Sequence, residues 1–259
     1  MSFIHVLCLA YDGTEYYGWQ RTHDGPTIEE LLSNALKHIF QEPTHLIAAS
    51  RTDRGVHAFG QVVAFRTQRA ISDYSRLIIS INALLPSDIR VTAAHATTNN
   101  FHPTLDAIKK QYRYLISVGP VQPPFNRTTH WHVHYPLDKN LLYKSAEHCI
   151  GTHDFRGLCN FRKDLNDEDT IRTVYDIKIV ENKNQVAIDI EANKFLYKMA
   201  RNIVGTLIWI ARKKIPETAL QQAIRSRKRA LAGVTAPAHG LTLMKVFYPN
   251  IDFERSNLI

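Results

Sequence analysis

The stretch Ala48-Ala49-Ser50-Arg51-Thr52-Asp53-Arg54-Gly55-Val56-His57-Ala58-Phe59-Gly60-Gln61-Val62-Val63-Ala64-Phe65 decides how the rest of the chain reads. One apolar run, Leu46 to Ala49, leads into it and a second, Val62 to Phe65, leads out. Short apolar runs on either side of a glycine-bearing turn predict two strands, Leu46 to Arg51 and Gln61 to Arg66, joined by a loop. That loop carries Arg51, Asp53, Arg54 and His57 beside Gly55 and Gly60. Loops on a rigid scaffold are where binding and catalysis concentrate. Read alone, the same residues also describe a charged hairpin whose Asp53 caps a turn.

On the N-terminal side, Ile4 to Tyr11 reads as a mostly buried strand, and Asp12-Gly13-Thr14 turns the chain. Tyr16, Tyr17 and Trp19, followed by Gln20-Arg21, form a loop that can stack on nucleotides or pack over a sheet edge. Thr27-Ile28-Glu29-Glu30 is a capping box. It opens a helix with Ile28, Leu31, Leu32, Ala35, Leu36 and Ile39 on one face, ending before Pro43. On the C-terminal side, Ser72 or Asp73 can cap a second helix, and Ile89 to Ala94 adds a strand. The order strand, helix, strand, strand, helix, strand is that of the split βαβ, or ferredoxin-like, unit.

The remainder repeats this order with one added helix. Alternation in Lys109 to Val118 places Tyr112, Tyr114, Ile116 and Val118 on one face of a strand. A Pro-rich loop follows, then a helix after Asp138 that closes at Gly151. Phe161 to Thr170 reads as a polar loop, and Thr173 to Glu191 as a hairpin. The longest apolar helix is expected from Phe195 to Lys213, with Arg201 on the flank of its buried stripe. A cation there must snorkel or find a partner, for which Asp189 and Glu191 are candidates. A short helix after Pro216 ends in the basic run Arg225 to Arg229, and Leu241 to Tyr248 is a last strand. The fold class is therefore α+β, with mainly antiparallel sheets in two halves, 1–105 and 106–259.

Composition narrows the function classes. The chain of 259 residues carries a formal charge of +8 and 13 histidines. A basic balance of this size favours polyanionic partners. Three well-separated cysteines suit a reducing compartment, and no apolar run approaches a membrane span, so a cytoplasmic protein is expected. No phosphate-binding glycine loop and no nucleophile elbow is present. His130, His132 and His134 alternate along an extended segment without a cysteine to complete a zinc set, so no metal is expected. What remains is a carboxylate, Asp53, among cations, a tyrosine pair and Arg201. A neighbouring cation favours the ionised form of a carboxylate, which can then serve as nucleophile or base. Chemistry of this kind suits hydrolysis or isomerisation.

Together these residues resemble the TruA family of tRNA pseudouridine synthases. The family motif is close to G-R-T-D-A-G-V-H-A-x-G-Q-V, matched here by residues 50–62. Tyr11-Asp12-Gly13-Thr14 with Gly18-Trp19-Gln20, Asn82 to Pro86, and Lys110-Gln111-Tyr112-Arg113-Tyr114 fit in order. So do His153-Asp154-Phe155, Phe195 to Asn202, and Thr235-Ala236-Pro237 with Gly240-Leu241. The resemblance implies one pseudouridine-synthase fold with an active-site cleft between the halves. It also implies isomerisation of uridine at positions 38, 39 and 40 of the tRNA anticodon stem-loop, without a cofactor, by a homodimer. Asp53 falls on the catalytic aspartate, Arg201 on the basic residue that pairs with it, and Tyr112 on the tyrosine that contacts the target base. Arg51 would contact RNA.

The chain departs from the family pattern at Ser50 (usually Gly), Arg54 (usually Ala), Pro103-Thr104-Leu105 (usually Ala-Arg-Phe) and Ala200 (usually Val). Two other functions compete. One is a tRNA-binding protein or RNA chaperone without catalysis, and the other is a pseudouridine synthase acting on other RNA sites.

Overall fold

The structure is a computed structural model that describes residues 3–68, 70–97, 100–160 and 169–249. Within them the chain runs β1 (Phe3–Tyr11), α1 (Ile28–Phe40), β2 (Ile47–Ala48), β3 (His57–Thr67), α2 (Tyr74–Leu84) and β4 (Ile89–Ala96). It continues with β5 (Lys109–Val118), β6 (Trp131–Val133), α3 (Lys139–Glu147), β7 (Gly151–Asp154), β8 (Ile171–Asn182) and β9 (Gln185–Ala192). The last elements are α4 (Met199–Ala211), α5 (Ala219–Ser226) and β10 (Leu241–Phe247). The chain divides into two compact units, one of Met1–Ile108 with Thr242–Ile259 and one of Lys109–Leu241.

In the first unit β1 lies between β3 and β4, antiparallel to both. β2 pairs antiparallel with β3 through Ile47↔Ala64 and Ala48↔Val63. This is the 4-1-3-2 strand order of a ferredoxin-like unit. Local signals place the helices. Thr27 accepts from Glu30 N at the start of α1, and Asp73 accepts from Arg76 N at the start of α2. Each side-chain oxygen satisfies an amide that has no partner inside its helix. The helices pack on each other and bury Ile28, Leu32 and Leu36 from α1 and Leu77, Ile78 and Ile81 from α2.

The placement of β10 differs from the sequence assignment, which counted everything after residue 105 in the second half. β10 pairs in parallel with β3 through Thr242↔His57 and Leu243↔Ala58. β2 covers only the far end of the same β3 edge, so the His57 end presents backbone groups that β10 satisfies. A Cβ on Gly60 would lie 2.4 Å from Met244 O, so a glycine is required where the two strands approach. The first unit thus begins and ends the chain.

In the second unit the strand order is β5-β9-β8-β7, antiparallel throughout, with β6 added parallel to β5. The β8–β9 hairpin closes on Lys183-Asn184, with Lys183 at φ 49°. α4 buries eleven of its thirteen residues. It starts at Met199 rather than Phe195, because Lys198 takes a left-handed φ of 60° and Met199 N bonds back to Leu196 O. α3 stops at Glu147, and tight turns carry the chain on to Gly151 at φ 109°. Of the polar loop expected over 161–170, residues 161–168 lie outside the described residues. No helix among the described residues is long and apolar enough to cross a membrane.

Candidate functional site

In the first unit, the segment between β2 and β3 is held by a buried polar frame. Gln61, fully buried, accepts from Ser50 N at 3.2 Å and donates to Ser50 O at 2.6 Å. Its amide also reaches Tyr11 Oη at 3.4 Å, and Tyr11 Oη shares a 2.8 Å hydrogen bond with Thr52 Oγ1. Burial pushes the Tyr11 hydroxyl up to about 12, so it stays protonated as a hydrogen-bonding strut. Both neighbours of Arg51 are therefore fixed, while Arg51 itself is exposed and Asp53 half-exposed. After Asp53 the chain turns: Val56 N donates to Asp53 O at 3.1 Å, with Gly55 at φ 76°.

The 12–19 loop is pressed onto the far side of this turn. Trp19 N donates to Thr52 O at 3.0 Å, and Gly55 N to Tyr16 O at 3.2 Å. Tyr16 is anchored in turn by a 2.6 Å bond from its hydroxyl to Asp88 Oδ1. Gly13 N donates to His57 Nδ1 at 3.0 Å. A Cβ on Gly13 would meet Val56 O at 2.1 Å, and one on Gly18, at φ 95°, would meet Thr52 O at 2.7 Å. The opening loop is thus fitted to the Asp53 turn through its backbone, with the Tyr16 and Trp19 side chains buried. Arg54 lies over the Tyr17 ring at 3.9 Å.

In the second unit, β5 presents Tyr112 and Tyr114 on one face. Tyr112 is buried and meets Phe195 edge to face, with ring centroids 4.9 Å apart. Tyr114 donates to Pro237 O at 2.8 Å, and its ring fills the space a Cβ on Gly240 would need. Arg113 faces the other way and grips Asp189 with two bonds of 2.7 and 2.8 Å, while Lys109 bonds Glu191 at 2.6 Å. The two acids considered as structural partners of Arg201 are thus engaged by other cations. Arg201, half-buried, donates from Nε to Ala236 O at 2.8 Å instead.

The basic run after Pro216 does not stay on one helix. α5 ends at Ser226, Arg227 takes φ 59° and bonds Asp154 at 2.8 Å, and Arg229 folds inward. His130 bonds Thr129, and His132 bonds Gly119 O at 2.8 Å. Among the described residues no group of three His, Cys, Asp or Glu side chains is arranged to hold a metal ion. Within each unit, then, the structure brings Asp53 and Arg51 onto one framed loop, and sets Tyr112 and Arg201 on β5 and α4. Gln61 lies within the motif over 50–62, but no local spacing marks it as the residue that frames Ser50. A buried polar residue announces itself only once its burial is known.

The chain matches a family model described as tRNA pseudouridine synthase over residues 7–106 and 145–249. It is 46% identical over 243 residues to "tRNA pseudouridine synthase A 2" of Protochlamydia amoebophila, covering 93% of each chain. To "tRNA pseudouridine synthase A" of a Thermoanaerobacter species it is 41% identical, covering 94% of this chain and 98% of the relative. With "tRNA pseudouridine synthase A 1" of Protochlamydia amoebophila it shares 39% identity, covering 95% and 96%.

Proposed function

This chain belongs to the tRNA pseudouridine synthase family, and from that premise we infer that its target lies in the anticodon stem-loop of tRNA, at positions 38, 39 and 40. It is an isomerase that converts uridine in tRNA to pseudouridine. The N1–C1′ bond breaks, the uracil turns, and a C5–C1′ bond forms. N1 gains a proton and the C5 proton is released, so the reaction is redox-neutral. The proposed setting is cytoplasmic, with a homodimer as the working form.

A uridine within a stem must first leave the stack, at a cost of a few kcal/mol. Cations hold the phosphates and an aromatic ring covers the freed base. In this reading the Asp53 carboxylate starts glycosidic cleavage, Arg51 contacts RNA, and Tyr112 packs against the uracil. Arg201 is the basic residue paired with the catalytic carboxylate in the family pattern. The observation that carries the reading is the frame of the Asp53 turn. Gln61, Tyr11 and Thr52 are buried polar groups whose hydrogen bonds tie down the backbone on both sides of Arg51, just ahead of the half-exposed Asp53. A reacting carboxylate needs a fixed position, which such a frame supplies.

The test is Asp53→Asn incubated with an anticodon stem-loop RNA and assayed for both binding and pseudouridine. Binding without product is expected. Product at the wild-type rate would remove Asp53 from the chemistry. A wild-type protein that binds the stem-loop yet forms no product would mark a non-catalytic binder, and modification only elsewhere in RNA would move the target.

A further inference from the structure

The first turn of α4, which carries Arg201, is gripped by a polar network that the proposed chemistry leaves unused. Asn202, fully buried, donates from Nδ2 to Leu158 O at 3.1 Å and to Asn160 Oδ1 at 2.8 Å. Its Oδ1 accepts from Thr235 Oγ1 at 2.6 Å and from Arg229 Nη2 at 3.0 Å. Arg229 Nη2 also reaches Thr235 Oγ1 at 3.1 Å, and Nη1 donates to Gly233 O at 2.7 Å. Arg229 therefore touches Asn202 and Thr235, the immediate chain neighbours of Arg201 and Ala236.

Arg201 and Ala236 are themselves joined twice. Arg201 Nε donates to Ala236 O at 2.8 Å, and Ala236 N donates to Arg201 O at 3.1 Å. The two segments touch without slack. A Cβ on Gly205 would lie 1.8 Å from Val234 O, and one on Gly233 would lie 2.8 Å from Thr206 Cα. Gly233 N is further pinned to Thr206 Oγ1 at 3.0 Å. The acceptors that Arg229 reaches here are neutral, so its desolvated charge is not offset by an acid among them. What the guanidinium contributes is a rigid planar fork whose donors meet three acceptors at fixed angles, which a lysine cannot do.

We propose that Arg229 is a positioning residue for Arg201: it ties the first turn of α4 to the 233–236 segment, so that the Arg201 guanidinium is held at one place for the reaction. The proposal rests on the reading of Arg201 as a group that acts in the chemistry. Nε of Arg201 is aimed by Ala236 O, and the position of that carbonyl depends on Thr235 and Gly233, both held by Arg229.

The experiment uses the full chain with a tRNA substrate tritiated at uridine C5, whose label is released as product forms. Single-turnover rates at saturating enzyme and tRNA dissociation constants are measured for Arg229→Met, Arg229→Lys, Thr235→Val and Arg201→Lys. Arg229→Met is expected to slow the single-turnover rate roughly 10- to 100-fold while the dissociation constant stays near wild type. Arg229→Lys should recover little of the loss, and Thr235→Val should show a smaller loss in the same direction. In an Arg201→Lys background, Arg229→Met should add little, because the guanidinium it positions is gone.

A wild-type rate in Arg229→Met, a loss that appears in the dissociation constant, or losses that multiply in the double variant would each overturn the proposal. Should Arg229→Met fail to fold, Thr235→Val carries the same comparison. A wild-type rate in Arg201→Lys removes the Arg201 reading itself. That outcome is distinct from Arg201→Lys being slow while Arg229→Met is fast.

Discussion

The guanidinium of Arg54 lies over the ring of Tyr17, with Cζ 3.9 Å from its centroid. Arg54 stands one residue after Asp53. Gly25 also approaches the ring closely: a Cβ there would lie 2.5 Å from Tyr17 Cε2. Tyr17 N also donates to Pro26 O at 2.9 Å. Arg54 thus bridges the Asp53 turn and the loop that cradles it. A partly exposed cation–π contact of this type contributes about 0.5–1 kcal/mol. Arg54→Ala should lower stability in urea by that amount and leave the fold intact. Arg54→Lys should fall between the two. No change in either variant would show that the contact does not brace the turn.

Gly18 sits at φ 95° with Thr52 O, Arg54 N and the Asp53 carbonyl carbon within 3.0 Å of where a Cβ would stand. Gly18→Ala must move the 12–19 loop off the turn or strain the backbone, at a cost of about 1–3 kcal/mol. Because the displaced atoms belong to the Asp53 turn, pseudouridine formation should fall more steeply than stability. Activity measured well below the unfolding temperature separates the two effects, and parallel losses would contradict the cradle.

Gln61 spends both ends of its amide on the backbone of Ser50. Gln61→Leu keeps the volume and leaves two backbone groups without that partner. The expected destabilisation is about 2–4 kcal/mol, with a lower turnover number. Gln61→Glu retains only the acceptor for Ser50 N and loses the donor to Ser50 O. It should fall short of wild type even though its shape is conserved. A Gln61→Leu protein with wild-type turnover would refute the frame.

Lys110 is buried on β5, and burial, with the charge of Lys194 adding to it, lowers its pKa from 10.5 to about 8. The native state then binds fewer protons than the unfolded chain between those two values. Stability should therefore rise with pH across that window, and the cost of charging Lys110 is present in full below it. Lys110→Met should flatten this part of the stability-against-pH curve. Urea unfolding at pH 7, 9 and 10.5 measures it, and an unchanged slope would show that Lys110 is not the group responsible.

Several elements were legible because their causes are local. Thr27, Asp73 and Asp138 are side-chain caps whose partners stand three residues on, and each does begin its helix. Alternation in β5 set Tyr112 and Tyr114 on one buried face. The loop holding Arg51 and Asp53 was visible as charge between apolar runs. Three to four residues of chain contain all the information such signals need.

The rest depended on residues brought together from far along the chain. That β10 pairs with β3, that Arg113 rather than Arg201 holds Asp189, and that Arg229 reaches Asn202 follow from no spacing in the sequence. The same holds for Gly13 and Gly18, whose need to be glycine comes from backbone some forty residues away pressing against them. The sequence by itself determined the order of the elements, their caps and the residues available for chemistry. Only the tertiary structure decided which polar groups are buried together, and an unpaired buried polar group is costly enough that this choice fixes the position of the Asp53 turn and of Arg201.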